Sequence, residues 1–339
     1  MIPHNRPTIG SKEILAISKV INSKKISQGR EVEEFQKEFA RYLHLPEKNV
    51  VAVNNGTSAL YLALWALSAK NKKVIYPSYS CSSLRNATSL INGIEDLRDI
   101  EEGTPNMRSY NYDKNSIVII PHIYGFPSDI KKQNSVNFIE DSCQALGAEY
   151  NGKPILMGDI SIFSFYATKM MTTAGQGGML ASKNTALIRE IKDYLAFDLR
   201  KDSKIRFNFQ MTDIQAAMGR IQLQRIDEFV QKRDEIFKFY SDLRIPLLDV
   251  KYSKKTFKPV RFRTIMMNKN PKQLIDKFKK LGIETINPLE TWELLSKNKK
   301  LKNSIQLTKN TISLPCYPSL KKKDLIKIEQ AIDKLQLYI

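Results

Sequence analysis

Apolar positions along the chain fall into two rhythms that alternate from segment to segment. Between residues 11 and 21, Ile14, Leu15, Ile17, Val20 and Ile21 recur at helical spacing behind Ser11, a candidate N-cap. Residues 32–43 repeat the pattern, with Phe35, Phe39, Tyr42 and Leu43 on one face, after a break at Ser27-Gln28-Gly29. Residues 50–53 are instead a short continuous apolar run, which reads as a buried strand, and an apolar helix follows over 59–67. Similar strand-like runs occupy 73–76, 116–121, 136–139, 160–165 and 179–182, with a helical segment at 185–195. A long amphipathic helical stretch over 212–243 is ended by Pro246. Beyond it, 257–267, 271–281, 311–315 and 319–337 read as strand, helix, strand and helix, with Ser319 capping the last; 268–270 and 297–303 read as polar turns. Buried strands alternating with helices predict an α/β fold with a mostly parallel sheet, followed by a smaller α+β unit. No internal repeat stands out.

The chemistry collects where strands end. Asp141 lies at the C-terminal end of the 136–139 run, and Lys169 follows the 160–165 run. Ligands of open α/β sheets bind at the C-terminal strand edge. If the two strands are parallel neighbours, carboxylate and amine leave the sheet on the same side. That pairing suits pyridoxal phosphate, which needs a lysine for its Schiff base and an acid facing its pyridine nitrogen. The segment Asn54-Asn55-Gly56-Thr57-Ser58 follows a strand and opens a helix. Free amides and the positive dipole end at such a turn cradle a phosphate, with the Thr57 hydroxyl as a further donor. Taken alone, it reads first as an ordinary glycine turn with a capping Thr or Ser; the Asp141 and Lys169 motifs downstream turn the reading toward the phosphate. His122 is an acid or base by type, or a packed, hydrogen-bonded histidine.

Composition bounds the remainder. With 339 residues the chain can bury a full α/β core and a second, smaller domain. The 42% hydrophobic and 26% charged fractions are those of a soluble globular protein. No leader-like segment follows Met1 and no run of 18 apolar residues occurs, so the expected location is the cytoplasm, with no membrane partner. Cys81, Cys143 and Cys316 form no C-x-x-C pair and only three histidines occur, so no metal site is expected. The net charge of +19 is spread over scattered lysines and short runs such as Lys131-Lys132, Lys254-Lys255 and Lys299-Lys300. Such a surface attracts anionic substrates or has no partner at all; no nucleic-acid-binding signature accompanies it, and nucleic acid is not expected.

Several runs together resemble the DegT/DnrJ/EryC1/StrS family of fold-type I sugar aminotransferases. They are EDSCQALGA at 140–148, Gly158-Asp159, Ser164 with Lys169 five residues on, and TTAGQGG at 172–178, which has one extra residue and Gln176 for the family's Glu. The resemblance extends from about 7 to 318 and weakens after 252. It implies a large cofactor domain (1–245) with a mostly parallel seven-stranded sheet flanked by helices, ending in a long linking helix, and a small α+β domain (246–339). It implies pyridoxal 5'-phosphate bound to Lys169, with Asp141 at the pyridine nitrogen and Gln144 at the 3-hydroxyl. Gly56, Thr57, Ser58 and Ser164 would hold the phosphate, completed by Asn208 from the partner subunit of a homodimer. In the motif at 77–83 the family's ring-stacking aromatic falls on Cys81, so either a smaller group lies on the ring or Tyr79 takes the role. Gln210 replaces a family Arg, removing a charge and a bidentate fork, and the histidines that follow the family's G-I-x-T motif are missing after Thr285. Trp292, in that stretch, reads as a stacking surface for a sugar or base, or as a core or interface residue. The implied reaction transfers nitrogen, from glutamate, to a nucleotide-linked keto sugar in amino-sugar biosynthesis. A cyclitol-type ketone and a catalytically silent binding homologue stay open. Members with His at the lysine position are dehydratases, and Lys169 favours transamination.

Overall fold

The structure, a computed structural model, describes residues 1–108, 110–252 and 256–338. The lysine run Lys254-Lys255 lies outside the described residues. The chain opens with helices α1 (Ser11–Ser23) and α2 (Arg30–Tyr42). Strand β1 (Val50–Val53), helix α3 (Gly56–Ala66) and strand β2 (Lys73–Pro77) begin the α/β part. Next come α4 (Ser83–Leu90), β3 (Ile94–Arg98), β4 (Ile117–Pro121) and β5 (Asn137–Asp141). A small hairpin, β6 (Glu149–Tyr150) and β7 (Lys153–Pro154), precedes β8 (Ile160–Ser164), β9 (Gly178–Ala181) and α5 (Thr185–Leu195). Helices α6 (Asp213–Gln224) and α7 (Ile226–Asp242) lead to β10 (Phe257–Lys258) and β11 (Thr264–Met267). Helices α8 (Pro271–Lys280) and α9 (Lys302–Lys309), strand β12 (Thr311–Leu314) and helix α10 (Lys322–Leu335) complete the order.

The main sheet has seven strands in the order β1-β9-β8-β5-β4-β2-β3. All pairings from β8 to β3 are parallel, whereas β9 runs antiparallel to both its neighbours. Successive side chains of a strand point to opposite faces, and β1 shows the result. Val51 and Val53 join the core under α3 and α5, while Val50 and Ala52 join the core under α2 and α6. Both faces of β1 are thus covered, which is why it is apolar throughout.

Several expected elements shift for physical reasons. Ser11 is the first helical residue and not the cap; the Glu13 carboxylate reaches back to the Gly10 amide at 2.9 Å. The stretch 212–243 is two helices broken at Arg225, whose side chain pairs with Glu13 on α1 at 2.7 Å. Residues 257–267 divide at Pro259: β10 pairs with the β6–β7 hairpin, and β11 pairs with β12. The last helix is capped at Lys321 and not at Ser319, with Asp324 accepting from the Lys321 amide at 3.2 Å. Asp324 also places an acid in a first turn otherwise crowded with lysines. Residues 302–309 form α9 where a polar turn was expected from 297 to 303. Around the β11–β12 pair, Met266, Phe278, Ile312, Ile328 and Ile332 form a separate core that takes in Ile236 and Tyr240 of α7 and Ile2.

Candidate active site

The C-terminal ends of β1, β2, β4, β5 and β8 open onto one cleft of about 340 Å³. Asn55, Gly56, Thr57, Ser80, Cys81, His122, Asp141, Gln144, Ser164, Lys169 and Gln176 are among its lining residues. Asp141 and Lys169, 28 positions apart in sequence, therefore share one wall system because β5 and β8 are parallel neighbours, with Asp141 opposite Ile162. The Asp141 Oδ1 accepts from the Cys143 amide at 3.0 Å, which fixes the carboxylate. The Lys169 amine takes no hydrogen bond or ion pair among the described residues; it lies 5.4 Å from the centroid of the Phe262 ring.

The phosphate-type turn forms as its residues require. Asn55 caps α3, its Oδ1 accepting from the Ser58 amide at 2.8 Å. The amides of Gly56 and Thr57 have no partner among the described residues and begin a helix whose dipole is positive at that end. Glycine at 56 is needed for close approach: a Cβ there would lie 2.8 Å from the Ser164 Cβ. A Cβ on Gly178 would lie 2.6 Å from the Asn55 carbonyl oxygen. The two glycines thus let the helix start, the end of β8 and the start of β9 meet.

A tight turn after β4 aims the third wall. Tyr124 and Gly125 both have positive φ, 59° and 87°. A bulky side chain rarely holds that conformation without outside support; here Gln144 Oε1 accepts from the Tyr124 amide at 2.7 Å. With that oxygen engaged, the Gln144 amide group keeps its N–H donors for the cleft. His122 is fully buried: its Nδ1 accepts from the Ser128 amide at 2.9 Å, so the ring proton is on Nε2, which meets Glu140 at 3.1 Å. This is the packed, hydrogen-bonded histidine. Glu140 also accepts from Ser161 Oγ and the Met157 amide; burial pushes its pKa up, but those donors and His122 outweigh it and leave the carboxyl below its ordinary range. Burial and the neighbouring Asp141 push the Cys143 thiol well up, so it stays protonated.

Not every expected residue lines the cleft. Tyr79 is buried, hydrogen-bonded to the Tyr124 hydroxyl, and absent from the lining, which leaves Cys81 as the smaller group on that side. Ser58 is buried and does not line it; its amide serves the cap. Asn208 is exposed on a loop, its Oδ1 accepting from the Gln210 amide, and lies outside the lining. Gln210 itself donates to the Leu195 carbonyl at 3.2 Å. Asn55, Ser80, Ser83, Tyr166 and Gln176 were not singled out; for Asn55 the signal existed, an Asn ahead of Gly-Thr-Ser at a helix start.

These groups fit pyridoxal phosphate. An acid, an amine, an amide donor and a glycine-built helix start with two unpartnered amides surround one cavity, which has room for a small aromatic ring and its phosphate.

The comparisons agree with that chemistry. The chain is similar to GDP-perosamine synthase of Escherichia coli O157:H7, 29% identical over 98% of each chain. It is also similar to the UDP-4-amino-4,6-dideoxy-N-acetyl-beta-L-altrosamine transaminase of Campylobacter jejuni, 28% identical over 96% of this chain and 94% of that one. The crystal structure of the aminotransferase TlmJ from Streptoalloteichus hindustanus has the same fold, with a TM-score of 0.88 over 99% of this chain and 100% of that one at 21% identity. The sequence profile of the DegT/DnrJ/EryC1/StrS aminotransferase family matches residues 7–333, and this chain belongs to that family as a pyridoxal-phosphate-dependent aminotransferase.

Proposed function

We propose that this aminotransferase moves an amino group from glutamate to a nucleotide-linked keto sugar in the biosynthesis of amino sugars for surface polysaccharide or glycoconjugate. The observation that carries the reading is the convergence of Asp141, Lys169 and the Gly56–Thr57 helix start on one cavity. Names of relatives support the sugar acceptor: two of them, above, act on GDP- and UDP-linked sugars by name.

When bound, the cofactor supplies an electron sink for the charge left as a proton leaves the carbon beside nitrogen. In this reading the chain does the rest. Lys169 would hold the cofactor through its amine, and that amine, when free, would take the proton as base and return it as acid. Asp141, fixed by the Cys143 amide, would hold the ring nitrogen and keep it protonated. Gln144 would donate to the ring's 3-oxygen with the N–H group its bond to Tyr124 leaves available. Gly56, Thr57 and Ser164 would hold the phosphate, with Ser58 supporting the turn through its bond to the Asn55 cap, and Cys81 would pack against the ring. Asn208 would reach the phosphate of a second subunit. Its loop carries the exposed apolar side chains Leu199, Ile205 and Phe207, which favour a homodimer contact there.

The test is incubation of the holoenzyme with glutamate and a panel of nucleotide-linked and free keto sugars and cyclitol ketones, following 2-oxoglutarate release. Turnover with a nucleotide-linked ketone is expected. Release only with a free cyclitol ketone would replace the acceptor, and no release with any would leave the silent-homologue reading standing.

A further inference from the structure

A second cavity, of about 690 Å³, lies away from the cleft, between α8, α9 and the segment around Trp292. It shares no lining residue with the cleft. Trp292 stands on its wall with 70% of its surface exposed, and no ring contact or hydrogen bond engages it among the described residues. Lys269, Lys272, Lys297 and Lys309 surround it; all are exposed, and none has a hydrogen-bond or ion-pair partner for its amine among the described residues. The one carboxylate in the groove is Glu290, held by the turn in which its own amide donates to Glu293 at 2.7 Å.

An exposed indole, a set of unpaired ammonium groups and one acid ask for a particular ligand. A planar base stacks on tryptophan. Phosphates neutralise lysines that otherwise repel one another. A lone carboxylate is the group that accepts from a ribose diol. The volume is that of a small-molecule site. The groove is also tied to the cleft loop: Leu295 donates to the Ser78 carbonyl at 3.2 Å, Ser296 to the Ser78 hydroxyl at 3.0 Å, and Ser80 and Cys81 follow in the cleft wall.

We infer that this groove binds a nucleoside diphosphate, with its base on Trp292, its ribose at Glu290 and its phosphates on Lys269, Lys272, Lys297 and Lys309. The nucleotide comes either from the nucleotide half of the acceptor or from a free nucleotide; the first source rests on the acceptor reading proposed above, the groove itself does not.

The chain has two tryptophans, Trp65 and Trp292, so fluorescence reports the site once Trp65→Phe removes the other. The holoenzyme is titrated with UDP, GDP and inorganic pyrophosphate, by fluorescence and calorimetry. Saturable quenching by UDP or GDP is expected, with affinity falling about tenfold or more in Trp292→Ala and in Lys297→Gln/Lys309→Gln, and falling with salt. Binding is expected to persist in Lys169→Ala, so it can succeed even if the aminotransfer reading fails. A KM for a nucleotide-linked acceptor raised in Trp292→Ala at constant kcat would assign the substrate's own nucleotide; an unchanged KM with lost UDP binding would assign a free one. No saturable binding at millimolar nucleotide, binding unchanged in Trp292→Ala, pyrophosphate binding as tight as UDP, or a strong preference for single-stranded oligonucleotide would each overturn the inference.

Discussion

One hydrogen atom at position 56 decides how closely the helix start can approach the end of β8. The 2.8 Å separation that a Cβ would have from the Ser164 Cβ is too short for either atom to stay in place. Gly56→Ala is expected to cost about 1–3 kcal/mol by overpacking and to weaken cofactor retention. Adding Ser164→Gly removes the opposing Cβ and should restore most of the melting temperature without restoring the phosphate contact proposed for Ser164. Thermal melts of both variants, with absorbance to follow bound cofactor, check this; a double variant no more stable than the single would place the clash elsewhere. At this scale the sequence was most informative. Asp141, Lys169, Gln144, Ser164 and the Gly56–Thr57 turn were singled out together because the expected chemistry demands fixed residue types, and all of them line the cleft. Ser58 and Asn208 do not line it: the first is buried in the opening turn of α3 with its amide on the Asn55 cap, and the second is exposed on a loop.

Among the elements, the N-terminal segment is fastened by groups that titrate. His4 is buried against β12, its Nε2 2.8 Å from the Ser313 hydroxyl and 3.3 Å from Arg263, and its amide donates to Glu284. Burial first, then the charges of Arg263 and Arg233, lowers its pKa from 6.5 to about 3. The folded protein thus keeps His4 neutral where the unfolded chain would protonate it. Stability is complete above about pH 6.5 and lost progressively as pH falls toward 3, by at most about 1.4 kcal/mol per pH unit. Between pH 6.5 and about 5, where ordinary carboxylates remain ionised, urea unfolding of the native chain is expected to slope and that of His4→Gln to be flatter. Equal slopes would remove His4 from the account. Elements were legible in proportion to their burial. Strands β1, β4, β5 and β8, covered on both faces, announce themselves as apolar runs. Strand β3 pairs only with β2 at the sheet edge, carries the mixed sequence IEDLR, and gave no such signal. The break between α6 and α7 has no Pro or Gly to mark it; Arg225 turns out of the helix where its side chain meets Glu13, a contact that exists only once α1 is packed.

For the whole molecule, cores on the two sheet faces and a cluster of Tyr79, Ile123, Tyr124 and Phe126 back the cleft walls, and a separate core surrounds β11 and β12. The general plan was legible because strand–helix alternation leaves few arrangements for a parallel sheet. What the sequence could not give was which lysines meet in space: the groove lysines come from 269 to 309 and only the fold assembles them. The oligomer has its own test. If Asn208 completes the site of a second subunit, Lys169→Ala and Asn208→Ala are each nearly inactive alone. Mixed, unfolded and refolded in equal amounts, they should recover about a quarter of the native activity, because half the dimers pair unlike subunits and each such dimer has one intact site. No recovery would return Asn208 to its own subunit or remove it from the site.

The proposed chemistry needs the amine of Lys169 to carry the cofactor and Asp141 to sit at the far side of the same ring. The most direct measurement is borohydride reduction of the coloured holoenzyme, followed by peptide mass mapping. The account predicts the reduced cofactor on the peptide containing Lys169, no such adduct in Lys169→Ala, and an altered visible band in Asp141→Asn. Cofactor fixed to a different lysine, or a protein that reduces with no adduct at all, would contradict it.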